Sequence, residues 1–187
     1  MADDDYDAVY EDGRGQGTSG EDGNGTVLCY LICPRDAAGA FLGALMLTDA
    51  RARPLHFAFV SPIRPTKIQR ILYGPTLEEH LSVDVIGKKL LTGLPVAPDA
   101  LLVDTPELIA VRRVADLPTA FLAKVNGDAA PGRLSSLQYD TGSNINDQEV
   151  IGQILALLEM KVDLVEPFQR MREALKEAIK SGDTVGE

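Results

Sequence analysis

Three apolar segments separated by short polar turns constrain the fold of this chain more than any other feature. Residues 27–33 form a nearly continuous apolar run, residues 40–48 form a second run, and residues 54–60 alternate between two faces. Connections this short cannot carry a crossover, so consecutive strands must pair antiparallel. The sequence therefore predicts an N-terminal three-stranded meander. Gly43, inside the second strand, indicates a bulge or a close backbone approach.

A short helix is predicted directly after the meander. Thr66 suits its N-cap, the helix runs to Tyr73, and the Gly74-Pro75 pair ends it. Its aliphatic residues Ile68, Ile71 and Leu72 follow the helical period and are expected to face the core.

Further helices and strands follow along the rest of the chain. A second helix is expected to end near Gly93, strands are expected over 101–103 and 119–125, a loop over 126–146, and two helices at the C-terminus. The predicted fold class is a single α+β domain. Its sheet is antiparallel-rich, built from the meander plus the later strands, with helices packed mainly on one face.

The acidic residues are concentrated at the N-terminus. Residues 1–25 contain eight Asp or Glu and one Arg, in a chain of formal net charge −10. A Gly-rich acidic segment without an apolar run cannot bury enough surface to offset its ordering entropy. We therefore predict a disordered tail over 1–25, a single domain over 26–182 and a flexible C-terminus over 183–187. The tail is either a solubilising extension or an arm that binds a basic partner or competes with nucleic acid.

Residues 50–77 contain no Asp or Glu and carry a cluster of basic residues. Such a stretch in an acidic protein indicates a partner-binding surface, either for an acidic protein or for nucleic acid phosphate. The alternative is that these residues pair with carboxylates elsewhere on the surface. The predicted partner-binding residues are Arg51, Arg53, Arg64, Lys67 and Arg70.

An enzymatic alternative rests on topology. A meander followed by a helix and a further strand resembles the order of elements in ribonuclease-H-like folds. Such enzymes hold two metal ions with carboxylates near strand ends. Asp36, Asp49 and Asp104 each follow a predicted strand. The resemblance implies a divergent metal-dependent nuclease, although no residue motif accompanies it.

Other features favour a role without catalysis. Cys29 and Cys33 lie in an apolar run, which is typical of reduced, buried thiols in a cytoplasmic protein, and His80 and Asp84 suit a surface pair. No secretory signal and no membrane-spanning run are expected. The sequence favours a non-catalytic binding or adaptor subunit of a cytoplasmic protein or nucleoprotein assembly, without cofactor or metal.

Overall fold

The computed structural model describes residues 8–11, 25–125 and 136–181. Six strands in this part of the chain form one mixed sheet, and a short N-terminal strand pairs along its edge. The strands are β1 (Ala8–Glu11), β2 (Leu28–Ile32), β3 (Phe41–Thr48), β4 (Pro54–Ile63), β5 (Ala100–Val103), β6 (Thr119–Lys124) and β7 (Leu137–Asp140). Their order across the sheet is β1-β4-β3-β2-β5-β6-β7.

The pairing of the strands confirms the meander and corrects the character of the sheet. Strands β2, β3 and β4 are antiparallel neighbours, as predicted, whereas β5 is parallel to β2, and β6 is parallel to β5. The sheet is therefore mixed and not antiparallel-rich. The reason is that helical crossovers join β4 to β5 and β5 to β6, and such connections return the chain in the same direction.

The helical segments lie between and after the strands. Helix α1 (Lys67–Tyr73) and a 3₁₀ turn (Gly74–Thr76) precede a continuous helical stretch made of α2 (Leu77–Glu79), a π-helical segment (His80–Gly87) and α3 (Lys88–Leu91). We refer to this stretch as helix 77–91. A 3₁₀ segment (Pro106–Val111) and α4 (Arg112–Ala115) follow β5, and α5 (Ile145–Leu158) and α6 (Glu166–Ser181) follow β7.

The sheet is covered on both faces, in contrast to the prediction of helices mainly on one face. Helices α5 and α6 pack on one face, where the Tyr30 ring meets the Phe168 ring edge-on at 5.1 Å. Helix 77–91 and the 106–115 segment pack on the other, where Leu31 and Ile86 belong to one buried cluster. Strands β2 and β5 are buried throughout, which is why their sequences read as continuous apolar runs.

Gly43 makes the contact between the sheet and helix 77–91 possible, as its position in a strand indicated. A Cβ atom at Gly43 would lie only 2.2 Å from Ile86 Cγ2. The pairing of β3 with β4 also shifts register between Phe41 and Gly43. The glycine therefore serves both a local irregularity and a close approach.

The segment predicted as a disordered tail contains one described element. The backbone of Ala8–Glu11 pairs antiparallel with β4, whereas the rest of residues 1–24 lies outside the described residues, as do residues 182–187. The division of the chain into tail, domain and flexible C-terminus stays a prediction.

Candidate partner-binding surface

Helix α1 is held at both ends by specific contacts. At its N-terminus, the Thr66 hydroxyl accepts a hydrogen bond from the Gln69 amide at 3.2 Å, and the Gln69 side chain accepts one from the Thr66 amide at 2.8 Å. This reciprocal arrangement is a capping box. At its C-terminus, the Tyr73 ring stacks on the His80 ring with centroids 4.4 Å apart. A helix of about two turns is thereby fixed in place without burying a side chain.

The aliphatic residues of α1 face away from the core, so the prediction that they point inward is wrong. Ile68, Ile71 and Leu72 are 69%, 70% and 76% exposed. The buried residues nearest to α1 along the chain are Pro65 before it and Leu77 after it. The chain therefore contacts the core on either side of α1 and leaves the helix outside it.

Basic residues lie next to these aliphatic residues along the chain. Arg64 lies 3.7 Å from Asp36 and is 70% exposed, which makes this a weak, screened pair. Within the described residues, Lys67 and Arg70 form no ion pair, and both are exposed. We define the α1 surface as Ile68, Ile71 and Leu72 together with Arg64, Lys67 and Arg70.

The other two predicted binding residues lie elsewhere. Arg51 and Arg53 occupy the turn between β3 and β4, at the opposite end of β4 from α1, which is a separation of roughly 30 Å along a ten-residue strand. The Asp49 carboxylate accepts hydrogen bonds from the Arg51 and Arg53 amides and from Arg53 Nε. The five basic residues therefore do not form one surface, because the strand between them is extended.

The pKa of Asp49 reflects the same turn. Partial burial opposes ionisation of the carboxyl, but the hydrogen bonds donated by Arg53 and by the Arg51 amide outweigh it and lower the pKa. Asp49 thus acts as a turn residue that organises the hairpin.

The three aspartates of the nuclease alternative are not brought together. Asp36 and Asp104 follow the C-terminal ends of β2 and β5. Asp49 follows the C-terminal end of β3, which runs antiparallel to β2, so it lies at the opposite end of the strands. Asp36 accepts hydrogen bonds from the Ala38 and Ala40 amides, which makes it a turn residue. The predicted order of elements is present, but the antiparallel direction of β3 separates the carboxylates and no shared two-metal site forms.

Asp104 has a structural partner of its own. Its side chain is 8% exposed and pairs with Arg172 of α6. Burial raises the pKa of Asp104 and the Arg172 guanidinium only partly opposes this. Within the ranges that the structure describes, no group of three or more His, Cys, Asp or Glu side chains is arranged to hold a metal ion.

A cavity of about 490 Å³ opens where open α/β sheets often bind ligands, at the carboxyl ends of β2 and β5. Two of the three glutamates in its lining are already paired, since Glu78 contacts Arg35 and Glu79 contacts Arg113. Desolvation raises the pKa of the Cys33 thiol in its wall, so the thiol stays protonated and is a poor nucleophile at neutral pH. The cavity contains no assembled catalytic pair.

The predicted pair of His80 and Asp84 is confirmed, and it belongs to the support of α1. His80 Nδ1 lies 3.2 Å from Asp84 Oδ2, and Arg113 donates to Asp84 Oδ1 at 2.8 Å. The ring on which Tyr73 stacks is thus itself held by a carboxylate.

Comparison with protein-family models and with curated proteins gives no match. Among the helices of the described residues, none combines the length and apolar character that crossing a bilayer requires. The assignment of a site therefore rests on the surface itself.

Sequence reasoning found the basic residues of the α1 surface but missed its apolar part. The available signal was the enclosure of a two-turn helix between Pro65 and the Gly74-Pro75 pair, inside a segment without acidic residues. The apolar residues of such a short helix need not face the core.

Proposed function

We propose that the protein is a non-catalytic binding or adaptor subunit that docks onto another protein through the α1 surface. The observation that carries the proposal is a capped helix with no buried residue that presents three large aliphatic side chains to solvent. Exposed apolar patches of this kind mark interaction sites more often than bare surface.

The spacing of the aliphatic residues suits insertion into a groove. Ile68, Ile71 and Leu72 lie at positions i, i+3 and i+4, so they form one stripe on the helix. Burying an Ile or Leu side chain completely is worth about 1.5–3 kcal/mol. Three such anchors contribute about 4.5–9 kcal/mol, which is comparable to the cost of association, so the charges around the stripe and further contacts must add to the affinity.

The charge around the stripe describes the partner. Residues 50–77 contain no Asp or Glu that could neutralise Arg64, Lys67 and Arg70. The three positive charges are therefore available to a partner. A groove with an apolar floor and carboxylates at its rim complements this pattern, and the charges speed association and exclude wrong partners.

A protein fits this surface better than a nucleic acid does. The apolar part consists of aliphatic side chains, which do not stack on bases as aromatic rings do. Tyr73, the aromatic residue of α1, is already stacked on His80. No observation favours the nuclease alternative beyond its order of elements.

The test is co-purification from native cells with quantification of each co-eluting protein. We expect Ile71→Glu to reduce a specific partner at least about tenfold, because a charge replaces a buried anchor. Ile145→Glu, at an exposed position of α5 (84% exposed), is the matched control and should leave the same partner unchanged. Equal recovery with Ile71→Glu and the native chain would place the binding surface elsewhere.

A further inference from the structure

The short strand β1 sets the direction in which the N-terminus leaves the sheet. It pairs antiparallel with β4, with Ala8 opposite Val60 and Glu11 opposite Phe57. Since β4 continues from Val60 to Ile63 and then into the turn before α1, the N-terminal end of β1 points along β4 toward α1.

The first seven residues complement the α1 surface in charge. They contain Asp3, Asp4, Asp5 and Asp7 and no Lys or Arg. The α1 surface carries three basic side chains, and Lys67 and Arg70 have no ion-pair partner within the described part of the chain. Attraction between exposed charges is modest for one pair but accumulates in a network.

The length of this segment also suffices. Seven extended residues span about 23 Å, whereas a seven-residue helix is about 10 Å long. The segment also supplies apolar groups, Met1 and Tyr6, that can lie against the exposed aliphatic side chains of α1.

Other occupants agree less well with the charges. A symmetric pair of α1 surfaces from two copies of the chain would bring like charges together. An anionic membrane would attract the α1 surface but repel a chain of net charge −10.

We propose that the acidic segment 1–7 docks on the α1 surface of its own chain and acts as an intramolecular competitor for the partner. The contact is an autoinhibitory cover that an acidic partner displaces. The competition rests on the proposed function, but the contact itself can be tested without any partner.

Zero-length cross-linking with a carbodiimide tests the contact directly, because it joins a lysine amine only to a carboxylate in contact with it. The probe is an equal mixture of isotopically light and heavy full-length protein. We expect Lys67 to link to Asp3, Asp4, Asp5 or Asp7 within one isotopic form. The links should disappear at about 1 M NaCl, where the Debye length is about 3 Å.

Labelling of a single thiol provides a second, independent measurement. Ile71→Cys places a reactive thiol on an exposed position, while Cys29 and Cys33 have thiols whose pKa burial raises. The unsubstituted chain measures their background. Neutralising the four aspartates of segment 1–7 to Asn should raise the maleimide labelling rate about threefold.

The matched control neutralises the other four acids of residues 1–25, by E11Q, D12N, E21Q and D22N, and changes the net charge equally. This variant should label at the rate of the parent Ile71→Cys chain. Equal labelling rates in both neutralised variants would overturn the proposal, and so would links only to Lys88 or Lys89. Links between light and heavy chains would show instead that a second copy is the occupant.

The outcomes separate this inference from the proposed function. Loss of the partner in Ile71→Glu without any cross-link from Lys67 would refute the intramolecular cover alone. A cross-link with full partner retention in Ile71→Glu would refute the docking role of α1 and leave the contact in place.

Discussion

Helices α1 and α6 look alike in sequence and have opposite fates in the fold. Both combine aliphatic or aromatic residues at helical spacing with basic and polar residues between them. Helix α6 buries Phe168, Met171 and Leu175 against the sheet, whereas α1 buries nothing. An apolar stripe therefore identifies which side of a helix avoids water, but not what covers it. Length decides much of the difference, since the sixteen residues of α6 span the sheet and the seven of α1 do not.

Polar contacts add to the difference between the two helices. Arg170 of α6 donates to the Ala52 carbonyl at 2.7 Å, and Arg172 donates to Asp104 Oδ2. The described contacts of α1 are local: its N-terminal cap, the hydrogen bond from the Thr76 hydroxyl to the Tyr73 carbonyl and the stacking of Tyr73 on His80. Helix α6 is therefore part of the packed domain, whereas α1 is exposed on its surface.

The largest expected effect is a loss of stability in α6, measured against the same kind of truncation in α1. Phe168→Ala should lower the free energy of unfolding by about 3–5 kcal/mol, because it leaves a cavity beside Tyr30. Ile71→Ala should change it by less than about 0.5 kcal/mol. Urea titration followed by circular dichroism measures both. A large loss of stability in Ile71→Ala would mean that α1 is packed, and the contrast between the helices would fail.

An intermediate loss of stability is expected where helix 77–91, which follows α1 in the chain, packs closely on the sheet. Gly43→Ala places a Cβ atom against Ile86 Cγ2 and should cost about 1–3 kcal/mol of unfolding free energy. Gly25→Ala is the control, because a Cβ atom there meets nothing within 4 Å.

The same contact can be tested by a double-mutant cycle. Removing the opposing methyl group with Ile86→Ala should make the cost of Gly43→Ala smaller in that background. Strict additivity in urea titrations would indicate that the close approach does not exist. That outcome would leave only the register shift of β3 and β4 as the reason for a glycine at position 43.

The smallest expected effect is a change in the pH dependence of stability. It tests whether the ion pair between Asp104 and Arg172 anchors α6. Burial raises the pKa of Asp104, so the folded state holds this proton more tightly than the unfolded chain does. The contribution of Asp104 to stability is thus present below the ordinary carboxyl value of 3.8 and is lost as pH rises through the folded pKa. Relative to the native chain, Asp104→Asn should therefore become more stable between about pH 3 and pH 7.

Asp49 offers a control of opposite sign for this measurement. Its lowered pKa gives stability that is present above 3.8 and lost as pH falls through the folded pKa, so Asp49→Asn should lose relative stability over the same range. Thermal unfolding at several pH values measures both variants. A marked destabilisation of Asp104→Asn at neutral pH would show that the pair with Arg172, rather than apolar packing, anchors α6.

Several parts of the fold could be predicted because they depend on local pattern. The meander followed from short turns, the break after Gly93 from a residue that adopts a φ of +77°, and the close approach from Gly43. Strand β7 was missed inside a segment predicted as loop, since it is only four residues long and gains its order by pairing with β6.

The candidate site was predictable only in part for a similar reason. Basic residues at 51, 53, 64, 67 and 70 are close in sequence, but an extended strand lies between two groups of them. The sequence showed that Asp36 and Asp49 each follow a strand. It did not show that they lie at opposite ends of the strands, because this depends on strand direction.

By itself, the sequence determined the meander, the buried central strands, the acidic N-terminus and the segment without acidic residues, because each is a property of neighbouring residues. The tertiary structure alone decided that the sheet is mixed, that both faces are covered and that α1 remains outside the core. These outcomes depend on competition between segments far apart in sequence for the same apolar surface. Helices α5, α6 and 77–91 occupy the faces of the sheet, and α1 stays exposed.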